Sequence, residues 1–386
     1  MKIKLEKILF VIVCLIVLSG ILSCEKNIHE NFYMLSQCAS IFLAILFLLL
    51  FLKLNKDKRE TLKNNIKKNY YIIVLFICMI ITSIINSIYT SSLKGLVYTV
   101  MFMLIMIILT IGVPTFFSIY EKYIDKFLVY ISFFSLLLSV IAIYIYYFGN
   151  LLGYSLIYRR ASSIFFDPNF FATFTAIGIL CSFNMKNGLF KVIISVINIL
   201  AIVLSGSRGA LLSLSLVLVA FIITKKFSIK KILLSILILI TVCYGVKYLN
   251  NIGFFRSYQG TNGRMEMIEY LINPIKERPI WGYGYDVTRS LLEEKNFTNS
   301  SSHNSLIDFT IGYGIPCSLL FIFVLTMSLI KGIKQQRYVI FLINLLLIIN
   351  SNTILYNIGG VSMCSMLWTI FLGMNIVEMK NEEIKN

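Results

Sequence analysis

Apolar runs long enough to cross a bilayer recur throughout this 386-residue chain, separated by short polar breaks. A hydrocarbon core about 30 Å thick needs roughly 20 apolar residues per helix. Within it every backbone amide and carbonyl must pair inside the protein, so helices are the default. The runs fall near 8–22, 35–52, 70–89, 96–117, 127–148, 170–183, 189–204, 210–224, 232–246, 311–330, 338–349 and 354–374. They predict an all-α polytopic membrane protein, a single integral membrane domain over residues 1–386 with about twelve transmembrane helices. Hydrophobic residues make up 58% of the chain and charged residues 14%, more apolar surface than a water-soluble core of this length can hide. The first run ends Ile21-Leu22-Ser23-Cys24, like a lipoprotein signal. The many runs that follow, and a leucine poorly suited to that cleavage site, favour a first transmembrane helix.

A net charge of +17 raises nucleic acid as a partner, but the placement of the charges excludes it. Lysines fill three breaks, among them Lys56 and Lys58, Lys225 and Lys226, and Lys331 and Lys334. These fall on one side of a serpentine chain, as cytoplasmic loops do. An even number of spans puts both termini on that side, with Lys2, Lys4 and Lys7 at the start and Lys380 and Lys385 at the end. Arginine dominates the opposite, extracytoplasmic loops: Arg159, Arg160, Arg208, Arg256, Arg264, Arg278 and Arg289. Its planar fork matches phosphate oxygens where lysine offers a point charge, so an anionic ligand is expected there. No charged residue lies mid-span, which counts against a coupled ion pump. The eight cysteines are scattered without Cys-x-x-Cys spacing and read as small apolar residues.

One long interval, 250–304, lacks an apolar run and forms the large outer-face loop. Met265, Ile268, Leu271 and Ile272 recur in it at helical spacing, with Asn262 as N-cap and Pro274 as the far limit. Such a helix is expected to lie on the membrane with its apolar stripe down and Arg264 in its first turn. The segment Pro279-Ile280-Trp281-Gly282-Tyr283-Gly284 follows, rigid and turn-forming, with Tyr283 a possible substrate contact. The interval closes on Ser302-His303-Asn304-Ser305.

Three motifs carry candidate chemistry. Ser205-Gly206-Ser207-Arg208-Gly209 turns the chain between two runs, its small residues permitting close approach to a ligand; lipid-phosphate snorkelling by Arg208 is the alternative. Arg159 and Arg160 precede Phe165-Phe166-Asp167-Pro168-Asn169, where Asp167 or Asn169 can cap the next helix. His303, one of two histidines, abuts Asn304 at the mouth of a run, where partial burial favours a neutral imidazole able to act as a base. The outer loops hold no Asp-x-Asp pair or His-rich cluster that would read as a metal site.

Taken in order, these pieces resemble the O-antigen ligase and O-antigen polymerase family of bacterial membrane glycosyltransferases. The matching elements are Arg160 with Phe165-x-Asp167-Pro168-Asn169, the Ser205–Gly209 turn, Arg264, Pro279-x-x-Gly282-x-Gly284, His303-Asn304-Ser305 and Gly312-x-Gly314. The resemblance covers a ligase/polymerase-like core at 158–330. It implies a GT-C-like helical fold and an inverting, metal-independent transfer without a cofactor. The glycan would pass from a polyprenyl-diphosphate-linked donor to a glycan or glycolipid acceptor at the outer face of the cytoplasmic membrane. In that reaction His303 is the expected base and Arg208, Arg264 and Arg160 the expected diphosphate ligands, with Arg159, Asn304 and Tyr283 as possible substrate contacts. A multi-span transporter or flippase of a solute or lipid-linked sugar is the alternative.

Overall fold

Segments that the apolar pattern marks as spans fold as helices, because helices alone close their backbone hydrogen bonds within one segment. The computed structural model describes residues 4–25, 30–90, 93–224, 264–285, 287–297, 302–352 and 362–378, with isolated positions between 240 and 248. Its helices are α1 (Leu5–Leu22), α2 (Glu30–Leu52), α3 (Lys56–Lys68), α4 (Tyr70–Thr90), α5 (Lys94–Ile107), α6 (Val113–Ile119), α7 (Lys122–Phe148) and α8 (Pro168–Ser182). There follow α9 (Gly188–Leu204), α10 (Arg208–Thr224), α11 (Arg264–Glu277), α12 (Val287–Glu294), α13 (Ser305–Lys334), α14 (Tyr338–Asn350) and α15 (Met363–Ile376). A small hairpin pairs β1 (Asn150–Leu151) with β2 (Tyr154–Ser155). Among the described residues six helical stretches are long and apolar enough to cross a membrane, accompanied by shorter apolar helices. The run expected at 232–246 lies almost wholly outside the described residues, as do Arg256 and Asn262.

The centre of the bundle is α15, every residue of which is buried. A helix that is apolar all round belongs in the interior, and this one packs against α1, α6, α8, α13 and α14. The stretch expected as one span at 96–117 is helical but carries a π-turn at Ile108–Gly112, wholly buried and set against α15. Cys24 is also buried, and its carbonyl accepts a hydrogen bond from Phe166 N (2.9 Å), so α1 is a packed member of the bundle.

Two expectations need correction. The basic break after α2 is not a loop: α3 is helical, with Leu62 and Asn65 turned inward. Asn65 donates to Thr115 Oγ1 (3.0 Å), so one face of a charged segment has something to pack on. In the large loop, Pro274 lies inside α11, which continues to Glu277. Of the expected stripe, Leu271 is buried together with Met267 against Leu292 of α12 and Ile311 of α13, while Met265 and Ile272 are exposed. Burial of Met267 and Leu271 there fixes which face of α11 turns in.

Ion pairs Glu6–Lys122 (2.7 Å), Glu121–Arg337 (2.9 Å) and Lys68–Glu378 (2.6 Å) gather the start of α1 and the end of the α15 segment at one end of the bundle. The described arginine and histidine motifs lie at the other. There α13 is broken. Thirty residues of helix would be about 45 Å long, more than a bilayer core. At Gly314 (φ 81°, ψ 171°) the helix divides into an arm, 305–313, and a span, 315–334, of about 30 Å.

Candidate functional site

Arg160 is held at the exit of a tight turn. Ile157 and Arg160 exchange backbone hydrogen bonds (3.2 and 2.9 Å) around Tyr158 and Arg159, which stand at φ 52° and 61°. Consecutive left-handed residues of this kind are usually Asn-Gly; side chains with a β-carbon cost energy there and cluster at functional sites. Arg159 points to solvent, whereas the Arg160 guanidinium turns inward. Its Nε donates to the Ser205 carbonyl (2.5 Å) and its Nη2 to Asn169 Oδ1 (2.9 Å). Ala161 N donates to the Leu204 carbonyl (3.0 Å), so the two arginine motifs, far apart in sequence, are stitched directly together. The α8 cap makes this possible: Asp167 Oδ1 accepts from Asn169 N (2.7 Å), with Pro168 as first helical residue, leaving the Asn169 carboxamide for Arg160.

The turn between α9 and α10 is built from its serines. Ser205 donates its hydroxyl to the Ile202 carbonyl (2.6 Å) and accepts from Ser207 N (3.2 Å), while Gly206 takes φ 64°. Ser205 and Ser207 are buried, and Arg208, half-buried, opens α10. A cation beside a helix N-terminus, where amides point outward, is suited to an anion.

His303 stands at φ 54° in a second strained turn, half-buried. The Ser302 hydroxyl donates to the Asn304 carbonyl and accepts from Asn304 N (both 3.0 Å), closing the loop behind the imidazole. Asn304, expected as a possible substrate contact, is the N-cap of α13. Its Oδ1 accepts from Leu306 N (3.0 Å) and Ile307 N (3.1 Å). Its Nδ2 reaches Asn352 Oδ1 at 3.4 Å, and Ser305 N donates to the Ser351 carbonyl (2.9 Å). The end of α14 therefore braces the histidine turn.

A continuous polar chain joins these pieces. Asn350 Nδ2, in the bundle interior, donates to Thr173 Oγ1 (2.9 Å), and Thr173 Oγ1 donates to the Asn169 carbonyl (2.9 Å). Asn169 receives Arg160, and Arg160 holds Ser205. The histidine turn, the Arg160 loop and the Arg208 turn thus share one hydrogen-bonded scaffold running through α8 and α14. Thr173, Asn350 and Asn352 went unnoticed as site residues in the sequence. The trace they left was a polar island, 350–352, between two strongly apolar runs.

The glycine motifs have a separate purpose. Breaking α13 frees two carbonyls and an amide that the loop then uses: Tyr283 N donates to the Ile311 carbonyl (2.8 Å) and Gly284 N to the Gly312 carbonyl (2.9 Å), while Ile315 N donates to the Pro279 carbonyl (2.7 Å). Backbones this close leave no room for side chains. A β-carbon on Gly282 would stand 2.5 Å from the Ile311 oxygen, and one on Gly314 would stand 2.1 Å from the Ile280 oxygen. Tyr283 lies in this docked segment. Its hydroxyl donates to Glu277 (2.7 Å), and Arg278 lies 4.6 Å from its ring centre. Burial, with that hydrogen bond and the Glu277 charge, pushes the Tyr283 phenol up to about 12. Arg264 is the first residue of α11.

Residues 193–322 match the family model described as O-antigen ligase. The match runs from α9 into α13 and spans Arg208, Arg264, Tyr283, His303 and Asn304. It is narrower than the 158–330 core expected from the motifs and stops short of Arg159 and Arg160. No curated protein matches the chain.

Proposed function

Taking the O-antigen ligase match over residues 193–322 as premise, which supports a membrane glycosyltransferase of that type, we propose the following reaction. The chain transfers a glycan from a polyprenyl-diphosphate carrier to an acceptor hydroxyl at the outer face of the cytoplasmic membrane, with inversion and without a metal. The observation that carries this reading is the scaffold joining the histidine turn to the two arginine turns at one end of the bundle. Cleavage of the sugar–phosphate bond leaves a diphosphate, so negative charge grows where fixed cations can meet it. Arg208 and Arg264 meet that charge. Arg160 adds its own while its Nε holds the Ser205 carbonyl of the Arg208 turn and its Nη2 holds Asn169 of α8. His303 takes the acceptor proton as the new glycosidic bond forms. Its left-handed backbone, closed by Ser302 and braced from α14, restricts where the imidazole can point.

Both termini are cytoplasmic in this reading, the whole chain is one membrane domain, and the loop 250–304 faces outward above the ligase/polymerase-like core. The partners are the lipid-linked donor, a glycan or glycolipid acceptor and the bilayer. The test is a reconstituted reaction with purified protein, lipid-linked glycan and acceptor. Release of polyprenyl diphosphate in step with acceptor elongation is expected. Movement of the lipid-linked glycan across the membrane with no bond cleaved would replace this reading by that of a flippase.

A further inference from the structure

A cavity of about 510 Å³ opens between α2, α4, α5 and the docked loop segment. Its size lies within the range of roughly 300–1,000 Å³ typical of small-molecule sites. The α4 wall presents Ser83, Asn86, Ser87 and Thr90, and Gln37 faces them from α2. Ser83 donates to Thr99 Oγ1 (2.9 Å), Ser87 to the Ile84 carbonyl (2.8 Å) and Thr90 to the Asn86 carbonyl (2.8 Å), which leaves their hydroxyl oxygens as acceptors. Asn86 Nδ2 donates to the Trp281 carbonyl (2.9 Å), which ties the loop lid to this wall. Gln37 makes no hydrogen bond to any described residue.

The opposite wall is aromatic: Tyr98, Tyr283 and Tyr285 line it, with Tyr98 and Tyr285 stacked at 5.8 Å. Among the described residues the one charged group lining it, Arg289, is paired with Glu293 at 2.9 Å. The described lining holds no cation cluster to take a diphosphate, and an acyl chain gains nothing from carboxamides and hydroxyls. Flat rings facing a row of uncharged donors and acceptors fit a polyhydroxylated, neutral ligand. Its C–H faces can lie on the rings while its hydroxyls meet the amides.

We propose that this cavity is the subsite for the saccharide units of the acceptor glycan, an assignment that rests on the glycosyl-transfer reading above. Its position favours acceptor over donor. α13 carries His303 just ahead of its first turn and packs both on α14, which meets α8 and α10, and on α4. In an inverting displacement the nucleophile enters opposite the leaving group. With the diphosphate at the Arg160 and Arg208 turns, the acceptor belongs away from them, and no residue of those turns lines the cavity.

The test uses full-length protein in cells assembling their own surface polysaccharide, with a benzophenone amino acid at Gln37 or, as a control, at Phe42, an exposed residue of the same helix. Irradiation should attach carbohydrate at position 37 and not at 42, and the captured glycan should carry no polyprenyl diphosphate. In the purified reaction Gln37→Leu should raise the acceptor KM roughly 3- to 10-fold, the value of one hydrogen bond, leaving kcat and donor KM unchanged. A captured glycan still bearing the lipid diphosphate would make this a donor site and overturn the assignment. An adduct of lipid or protein alone, or an unchanged acceptor KM, would reduce the cavity to packing. Absence of transfer by the wild-type protein would instead sink the glycosyl-transfer reading itself.

Discussion

Replacing Gly314 by alanine tests whether the broken α13 is the seat of the loop. At φ 81° and ψ 171° a β-carbon is strained by about 1–3 kcal/mol. It would also stand 2.1 Å from the Ile280 oxygen and 2.5 Å from the Ile280 carbonyl carbon, backbone atoms with no rotamer to escape into. The docked segment must retreat, surrendering the bonds Ile315 N to Pro279 O, Tyr283 N to Ile311 O and Gly284 N to Gly312 O. Each is worth about 0.5–1.5 kcal/mol net. Strain and lost bonds together amount to about 2.5–7.5 kcal/mol. Reversible unfolding in mixed micelles measures it, with Gly188→Ala, where nothing lies within 4 Å, as the control. Gly282→Ala attacks the same contact from the loop side, so the double variant should lose less than the sum of the singles. If Gly314→Ala unfolded within about 0.5 kcal/mol of wild type, as a neutral surface change does, the docking described here would be wrong.

His303→Ala should lower transfer by about 10² to 10⁴ while donor binding persists, and the rise of rate with pH through the imidazole range should vanish with it. Loss of donor binding would recast His303 as a phosphate ligand. Arg208→Lys keeps the charge and loses the fork, so transfer should fall steeply in protein that still inserts; wild-type rates would mean that Arg208 serves only lipid headgroups. The Tyr283 phenol, raised from 10 to about 12, contributes stability that is complete below about pH 10 and lost as pH climbs toward 12. Thermal unfolding of Tyr283→Phe between pH 9 and 11.5 should lack that alkaline decline, and an identical slope in both proteins would place the phenol outside the docked contact.

The division of labour between sequence and tertiary structure follows from the range of the forces involved. Apolar runs, the Asp167 cap of α8 and the turn residues Ser205–Ser207 act within a few residues, and helix formation in a bilayer is a local necessity, so these could be read from the chain. The same holds for which residue types gather at one end: arginines in short breaks and a histidine at the mouth of a run. Which partners they find could not be read. Arg160 looks equally available for a ligand in any one-dimensional view; only the packing of α8 on α9 and α10 brings Ser205 and Asn169 to its guanidinium. That Asn304 caps α13 and reaches Asn352 became visible only in the fold. Amphipathicity states that a face of α11 is buried, not against what; Leu292 and Ile311 take Met267 and Leu271. The glycines show the limit most directly. Pro279-x-x-Gly282-x-Gly284 and Gly312-x-Gly314 were visible as patterns, but their reason is a meeting of two backbones too close for a β-carbon. That distance exists only once the loop has folded back onto the helix.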